Sequence, residues 1–318
     1  MKHYTFIDYV TQGYLVVVAV LILVFHGGAV PAWPWLVSAH LSGMILVHWL
    51  IRGHARCPGN RSLAFLRHFY PVLLYVGFFR ETGELNQMFA SGFLDPVFIR
   101  LEEQIFGAQP SLTFMDNLPY WPVSELFYAS YFSYYVMITG VGLALYLRDR
   151  QQFFHYVSVV SFVFYVCYLT YIFTPVTGPR IFYRVIDGYA LPAEFHPEVL
   201  PDFPAAVQAG PFFQLMAWIY ENFESSGAAF PSSHVAVALT TLYFSWRYLP
   251  RIRFTHLVMA VLLCLSTVYC RYHYVVDVAA GILTAALLVP LGNWLYFRYR
   301  RPAETTATAR LTVSVEEV

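Results

Sequence analysis

Residues 9–51 read YVTQGYLVVVAVLILVFHGGAVPAWPWLVSAHLSGMILVHWLI, without a single Asp, Glu, Lys or Arg. A bilayer core of about 30 Å takes roughly 20 apolar residues as helix, so a run this long points to membrane spans. The break at Gly27-Gly28-Ala29-Val30-Pro31 divides it into a hairpin of two. A signal peptide fits less well, because Lys2 is the one basic residue ahead of the run and the second apolar stretch follows at once. Residues 151–179 are also free of charge. Across the 318 residues, 58% are hydrophobic, 19% aromatic and 12% charged, against about 25% charged in a soluble domain. The composition is that of an all-α polytopic membrane protein. A formal net charge of zero argues against nucleic-acid binding, which needs a basic stripe. The four cysteines, Cys57, Cys167, Cys264 and Cys270, are scattered, with no spacing suited to zinc or to a disulfide framework.

Breaking the apolar runs at Gly/Pro clusters and basic stretches gives about eight spans, near 10–26, 34–51, 64–79, 121–147, 153–174, 231–249, 254–270 and 274–297. The third is short and carries Arg67 and His68 near one end. Threading eight spans collects Arg52, Arg56, Arg61 and Arg67, then Arg148 and Arg150, then Arg247, Arg251 and Arg253, then Arg298, Arg300 and Arg301 on one side. By the positive-inside rule that side is cytoplasmic, with both termini. The chain then divides into N-terminal transmembrane helices (1–80), an extracytoplasmic segment (81–120), a helical bundle (121–301) with an outer loop at 175–230, and a polar, Thr-rich tail (302–318) expected to be disordered. Residues 85–106 suit an amphipathic helix, lying either in the outer interface or over the bundle.

Ionisable residues at the edges of spans are costly and mark candidate sites. Three segments qualify, and topology puts them at one depth on the outer face. In Gly227-Ala-Ala-Phe-Pro-Ser-Ser-His234, Pro231 suits a helix start, Ser232 or Ser233 can cap it, and free backbone N–H groups would face an anion; a histidine that merely seals the helix start fits equally well. In Cys270-Arg-Tyr-His-Tyr-Val-Val-Asp277, His273 and Asp277 are four apart, so on a helix the carboxylate can fix one imidazole tautomer and leave the other nitrogen nucleophilic. In Thr174-Pro-Val-Thr-Gly-Pro-Arg180, Pro and Gly end the fifth span and place Arg180 over the bundle mouth, where its planar fork suits phosphate. Metal ligation by the histidines and aspartate is a rival, but no third ligand stands at a recognisable spacing. The parts suit phosphoryl transfer through a phosphohistidine, which calls for no metal and no cofactor.

Phe-Pro-Ser-Ser-His234 and Arg271-Tyr-His273-Tyr-Val-Val-Asp277 resemble the second and third signature motifs of the type 2 phosphatidic acid phosphatase superfamily of lipid phosphatases and phosphotransferases. Arg271 stands only two residues before His273, and this together with the interval between the two histidines is similar to the inositol phosphorylceramide and sphingomyelin synthase branch. Gly178-Pro179-Arg180, Phe106-Gly107 and Pro110-Ser111 also look like the inositol phosphorylceramide synthase type. The resemblance implies that the last five spans hold the superfamily's bundle, that His273 is the nucleophile, that Asp277 orients it and that His234 protonates the leaving oxygen. One departure stands out: the superfamily's first motif begins with lysine, yet Lys2 is the chain's only lysine. Phosphate binding would then rest on Arg180, Arg271 and Arg184, with Ser232 and Ser233 beside them.

The expected activity is transfer of a phospho-headgroup, phosphoinositol by resemblance, from a phospholipid donor to a lipid hydroxyl acceptor such as that of ceramide or diacylglycerol. A lipid phosphate phosphatase differs only in using water to resolve the phosphohistidine. A proton-coupled transporter is the alternative from another class; against it, the ionisable groups gather at one face and no paired broken helices appear. No protein partner can be inferred from the sequence.

Overall fold

The computed structural model describes residues 3–182, 203–223 and 225–299. Arg184 and the tail 302–318 lie outside the described residues. Within them the chain is helical, without β-strands. Six helices are long and apolar enough to cross a membrane: α1 (Phe6–Phe25), α2 (Trp33–Arg56), α3 (Arg61–Leu85), α6 (Trp121–Arg148), α7 (Arg150–Phe173) and α13 (Val275–Arg298). Between them lie the short α4 (Asp95–Phe106), α5 (Pro110–Asn117), α8 (Pro179–Phe182), α9 (Ala205–Gln208) and α10 (Pro211–Phe223), then α11 (Ser233–Tyr248) and α12 (Arg253–Tyr269). The protein is a polytopic α-helical membrane protein.

The eight expected spans therefore become six full-length helices and two shorter ones. Helices α11 and α12 have 16 and 17 residues, about 24–26 Å of helix against a hydrocarbon core of about 30 Å. One end of each carries the sequence motifs. There Ser232 caps α11, and the Tyr269 hydroxyl at the end of α12 donates to the Leu118 carbonyl at 2.8 Å. On this side α5 packs on α12, α4 on α13 and α10 on α6.

Helix α7 is the hub. Its run of valines, phenylalanines and tyrosines has no polar face, and a helix apolar all round is stable only when surrounded. Accordingly α1, α3, α6, α11 and α13 all pack on it, and Val159, Val163, Cys167, Tyr171 and Ile172 are fully buried. Small residues let α11 and α13 approach closely, as membrane bundles require. A Cβ on Gly281 of α13 would lie 2.6 Å from the Ser232 carbonyl oxygen, so this glycine brings the two motif-bearing helices together.

Helix α3 exceeds its expected span by about two and a half turns, starting at Arg61 and running through Pro71 to Leu85. Its Arg67 is buried with its charge paired to Asp8 of α1, which offsets part of the cost of a charge within this span. The amphipathic segment is helical only from Asp95. Its acidic face packs on the bundle, with Asp95, Ile99 and Glu102 fully buried, while Val97, Leu101 and Ile105 are exposed.

Candidate active site

The chain reverses direction after α12 on Arg271, a non-glycine residue at φ 60°. This left-handed conformation costs an L-residue about 1–2 kcal/mol. The turn is secured by the Tyr272 and His273 N–H groups, which both donate to the Thr267 carbonyl at 3.0 Å. A second loop, 174–180, docks against it. Gly178 has φ 86°, and a Cβ there would collide with the Tyr272 carbonyl oxygen. The adjoining Arg180 N–H donates to the Arg271 carbonyl at 2.6 Å. The two motif arginines are thus fixed to each other through their backbones, and both guanidinium groups lie against the Phe203 ring, at 5.4 and 5.2 Å. Arg180 Nη1 donates to the Tyr272 hydroxyl at 3.2 Å, and Arg271 Nη2 donates to Asp116 Oδ1 at 2.7 Å.

His273 lies before the N-cap Tyr274, outside α13. The expected helical i,i+4 pairing with Asp277 is therefore not what joins them. Asp277 is the third residue of α13, and its Oδ2 accepts the Tyr274 N–H at 2.9 Å, as a capping carboxylate does. The same Oδ2 stands 3.4 Å from His273 Nδ1. His273 Nε2 faces the other way, 3.5 Å from His234 Nδ1. His234 sits in the first turn of α11 between the Tyr131 and Tyr134 rings, whose centroids are 5.0 and 4.6 Å from its own. Burial pushes the His273 imidazole down to about 4, so at neutral pH it is unprotonated.

These groups form the floor of a solvent-open cleft. Arg180, Thr177, Tyr272, His273 and His234 line its polar part, and Phe79, Tyr135, Ile219 and Phe223 its apolar flank. Ser232 and Ser233 are not among the lining residues. The Ser232 N–H donates to the Asp277 carbonyl and the Ser233 N–H to the Tyr171 hydroxyl, while the Ser232 side chain accepts the Val235 N–H. The start of α11 is therefore largely satisfied by protein and offers an anion less than its sequence suggests. Among the described residues no group of three or more His, Cys, Asp or Glu is placed to hold a metal ion.

Sequence reasoning missed the two carboxylates that hold this floor in place. Asp95 accepts the Thr177 and Gly178 N–H groups at 2.9 Å each, the Thr177 hydroxyl at 3.0 Å and the Tyr274 hydroxyl at 3.1 Å. Glu102, one face-repeat along α4, accepts the Val275 and Val276 N–H groups that open α13. The available signal was Asp95, Ile99 and Glu102 on one face with Val97, Leu101 and Ile105 on another. It shows that the apolar face is not the one turned to the protein.

Glu102 supports a prediction about pH. Burial raises its carboxyl from 4.5 to about 7, so the folded state holds the proton more tightly than the unfolded chain. The associated stability, about 3 kcal/mol, is fully present below pH 4.5 and is lost as pH rises through about 7. The apparent Tm is expected to fall between pH 5 and pH 8, and Glu102→Gln, which keeps the acceptor oxygen without the charge, should shrink that fall. A pH dependence identical in the variant would show that Glu102 does not titrate in this range.

A family profile described as the PAP2 superfamily matches residues 98–291. That is well over half of the chain, which therefore belongs to the PAP2 superfamily, a group of lipid phosphatases and phosphotransferases. Among curated proteins, a PA-phosphatase related-family protein from Dictyostelium discoideum is 33% identical over 81 residues, covering 26% of this chain and 14% of the relative. The chain thus aligns with only a small part of that relative's length. No solved structure matches.

Proposed function

We propose that the protein is a lipid phosphotransferase working through a phosphohistidine, with phosphoinositol as the headgroup moved and the hydroxyl of ceramide or diacylglycerol as acceptor. The observation that carries this reading is His273, with one ring nitrogen toward a buried carboxylate and the other toward His234 on the floor of a cleft beside Arg180. In this reading His273 Nε2 attacks the donor phosphorus. The bond to the departing diacylglycerol oxygen breaks, and His234 gives that oxygen a proton. His234 then takes the proton from the acceptor hydroxyl, whose oxygen attacks phosphorus as the P–N bond breaks. Asp277 holds the imidazole orientation, and Arg180 and Arg271 neutralise the phosphate. The apolar flank of Phe79, Tyr135, Ile219 and Phe223 suits acyl chains of donor and acceptor better than a bare phosphate ester. The site face is outward by the arginine distribution.

Hydrolysis is the second reading, favoured by the printed name of the Dictyostelium relative. Purified protein in mixed lipid vesicles with headgroup-labelled donor separates the two. Label appearing on the acceptor lipid supports transfer, whereas label released only as free phosphate or phospho-headgroup supports hydrolysis. Neither reading uses a metal, so turnover is expected to survive EDTA. Loss of turnover in EDTA, restored by one divalent ion, would turn His234, His273 and Asp277 into ligands instead.

A further inference from the structure

At the helix ends opposite the cleft lies a second cavity, of about 330 Å³, bordered by the start of α1 (Thr5), the end of α2 (His54), the first turns of α3 (Arg67, His68) and the end of α13 (Tyr299). Arg67 is 5% exposed. Its Nη2 donates to Asp8 Oδ2 and to the Thr5 hydroxyl, while its Nη1 has no hydrogen-bond partner. A buried N–H left without an acceptor is costly, because the hydrogen bonds it made to water are not replaced. Asp8 cannot supply that acceptor, because its carboxylate already receives the Thr5 N–H, the Thr5 hydroxyl and the Tyr70 hydroxyl besides Nη2. The surrounding charge is one-sided. Arginines at 52–67, 148–150, 247–253 and 298 occupy this face, whereas its carboxylates among the described residues are Asp8 and Asp149. Asp149 is occupied in capping α7 through the Gln151 and Gln152 N–H groups. Phe6, Ile51 and Phe154 add apolar wall.

The geometry points to a second phosphate-binding site here, separate from the cleft, in which Arg67 Nη1 meets a phosphate oxygen. That phosphate is carried by an anionic phospholipid of the adjoining leaflet or is a free phosphate ion. A guanidinium with one nitrogen held by carboxylate and another still available suits such an oxygen. The apolar wall beside it would take the first carbons of an acyl chain. The site needs neither His234 nor His273 and does not depend on the reaction proposed for the cleft.

The test uses the full-length chain carrying His273→Ala, so that a phosphate ester bound in the cleft is not consumed. In native mass spectrometry with dioleoyl-phosphatidic acid and dioleoyl-phosphatidylcholine, the anionic lipid should be retained in preference. Adding Arg67→Gln should lower the population carrying a second anionic lipid at least tenfold, leaving the lipid held in the cleft. Arg67→Gln strands the buried Asp8, so Asp8→Asn/Arg67→Gln, which removes both charges, is the companion variant. A photoactivatable phosphatidic acid applied to the chain with Arg67 intact should label peptides within 51–68 or around Phe154. If inorganic phosphate raises the unfolding temperature, and does so only with Arg67 present, while no lipid is retained, the occupant is the free ion. Unchanged lipid retention in the folded double variant, label confined to the cleft, or no response to either phosphate source would overturn the site.

Discussion

His273→Ala is expected to abolish turnover on every donor, whereas His234→Ala should lose activity on a natural phospholipid and keep measurable activity on a nitrophenyl phosphoester. The asymmetry follows from the geometry. His273 lines the cleft with its Nε2 toward His234 and its Nδ1 3.4 Å from Asp277, so in the proposed mechanism Nε2 is the nitrogen that bonds phosphorus. An alanine there leaves no nucleophile, however good the leaving group. In the proposed mechanism His234 acts on the departing oxygen, and an activated leaving group needs little protonation as its bond breaks. General acid catalysis contributes about 10²–10⁴-fold, which sets the expected gap between the two donors for His234→Ala. Donor phosphate should label the protein covalently, and His273→Ala should remove the label. Asp277→Asn should weaken both labelling and turnover, since the amide no longer favours the productive tautomer. Rescue of His273→Ala by the activated donor would exchange the two roles, and full activity in both variants would remove the site from this cleft.

Much of this arrangement was legible in the sequence because the membrane limits what a charge can do. Uncharged runs such as 9–51 can only be buried or spanning, which made the helical membrane class readable from composition. The same cost marked His234, Arg180 and Arg271 at helix ends, and the structure gathers all three with His273 and Asp277 at one face. What was illegible came from three sources. Helix ends depend on local capping: the Ser232 cap of α11 was readable in the sequence, but the capping of α13 by Asp277 leaves His273 outside that helix. Contacts between distant segments leave no periodic trace either. Asp116 holds Arg271 and Tyr171 holds the start of α11, across separations that no local pattern encodes. Asp95 and Glu102 were hidden by a third effect, because charged residues on an amphipathic helix look solvated until the bundle supplies buried N–H donors.

Asp95→Ala is expected to cost both stability and catalysis, and on both donor types alike. The carboxylate joins the loop carrying Arg180 to the residue that follows His273: Thr177 and Gly178 on one side, the Tyr274 hydroxyl on the other. Its removal leaves four buried donors without this acceptor, at about 1–3 kcal/mol for each one that water cannot reach. Destabilisation of roughly 3–5 kcal/mol is expected, in the range for breaking a buried polar network. Asp95→Asn should not restore function, because its amide would turn N–H toward the Thr177 N–H or the Gly178 N–H wherever it is placed. Since Gly178 packs on the Tyr272 carbonyl and Arg180 donates to that of Arg271, loosening the 174–180 loop shifts a phosphate-facing arginine relative to His273. An error of about 1 Å in such an alignment can cost around 100-fold. Loss through misplaced Arg180 falls on kcat for natural and activated donors equally, unlike the donor-dependent loss from His234→Ala. Assays on the folded fraction, with folding followed by thermal unfolding in the same detergent, distinguish the outcomes. Full kcat in folded Asp95→Ala would show that the α4 carboxylate supports the fold without aligning the site.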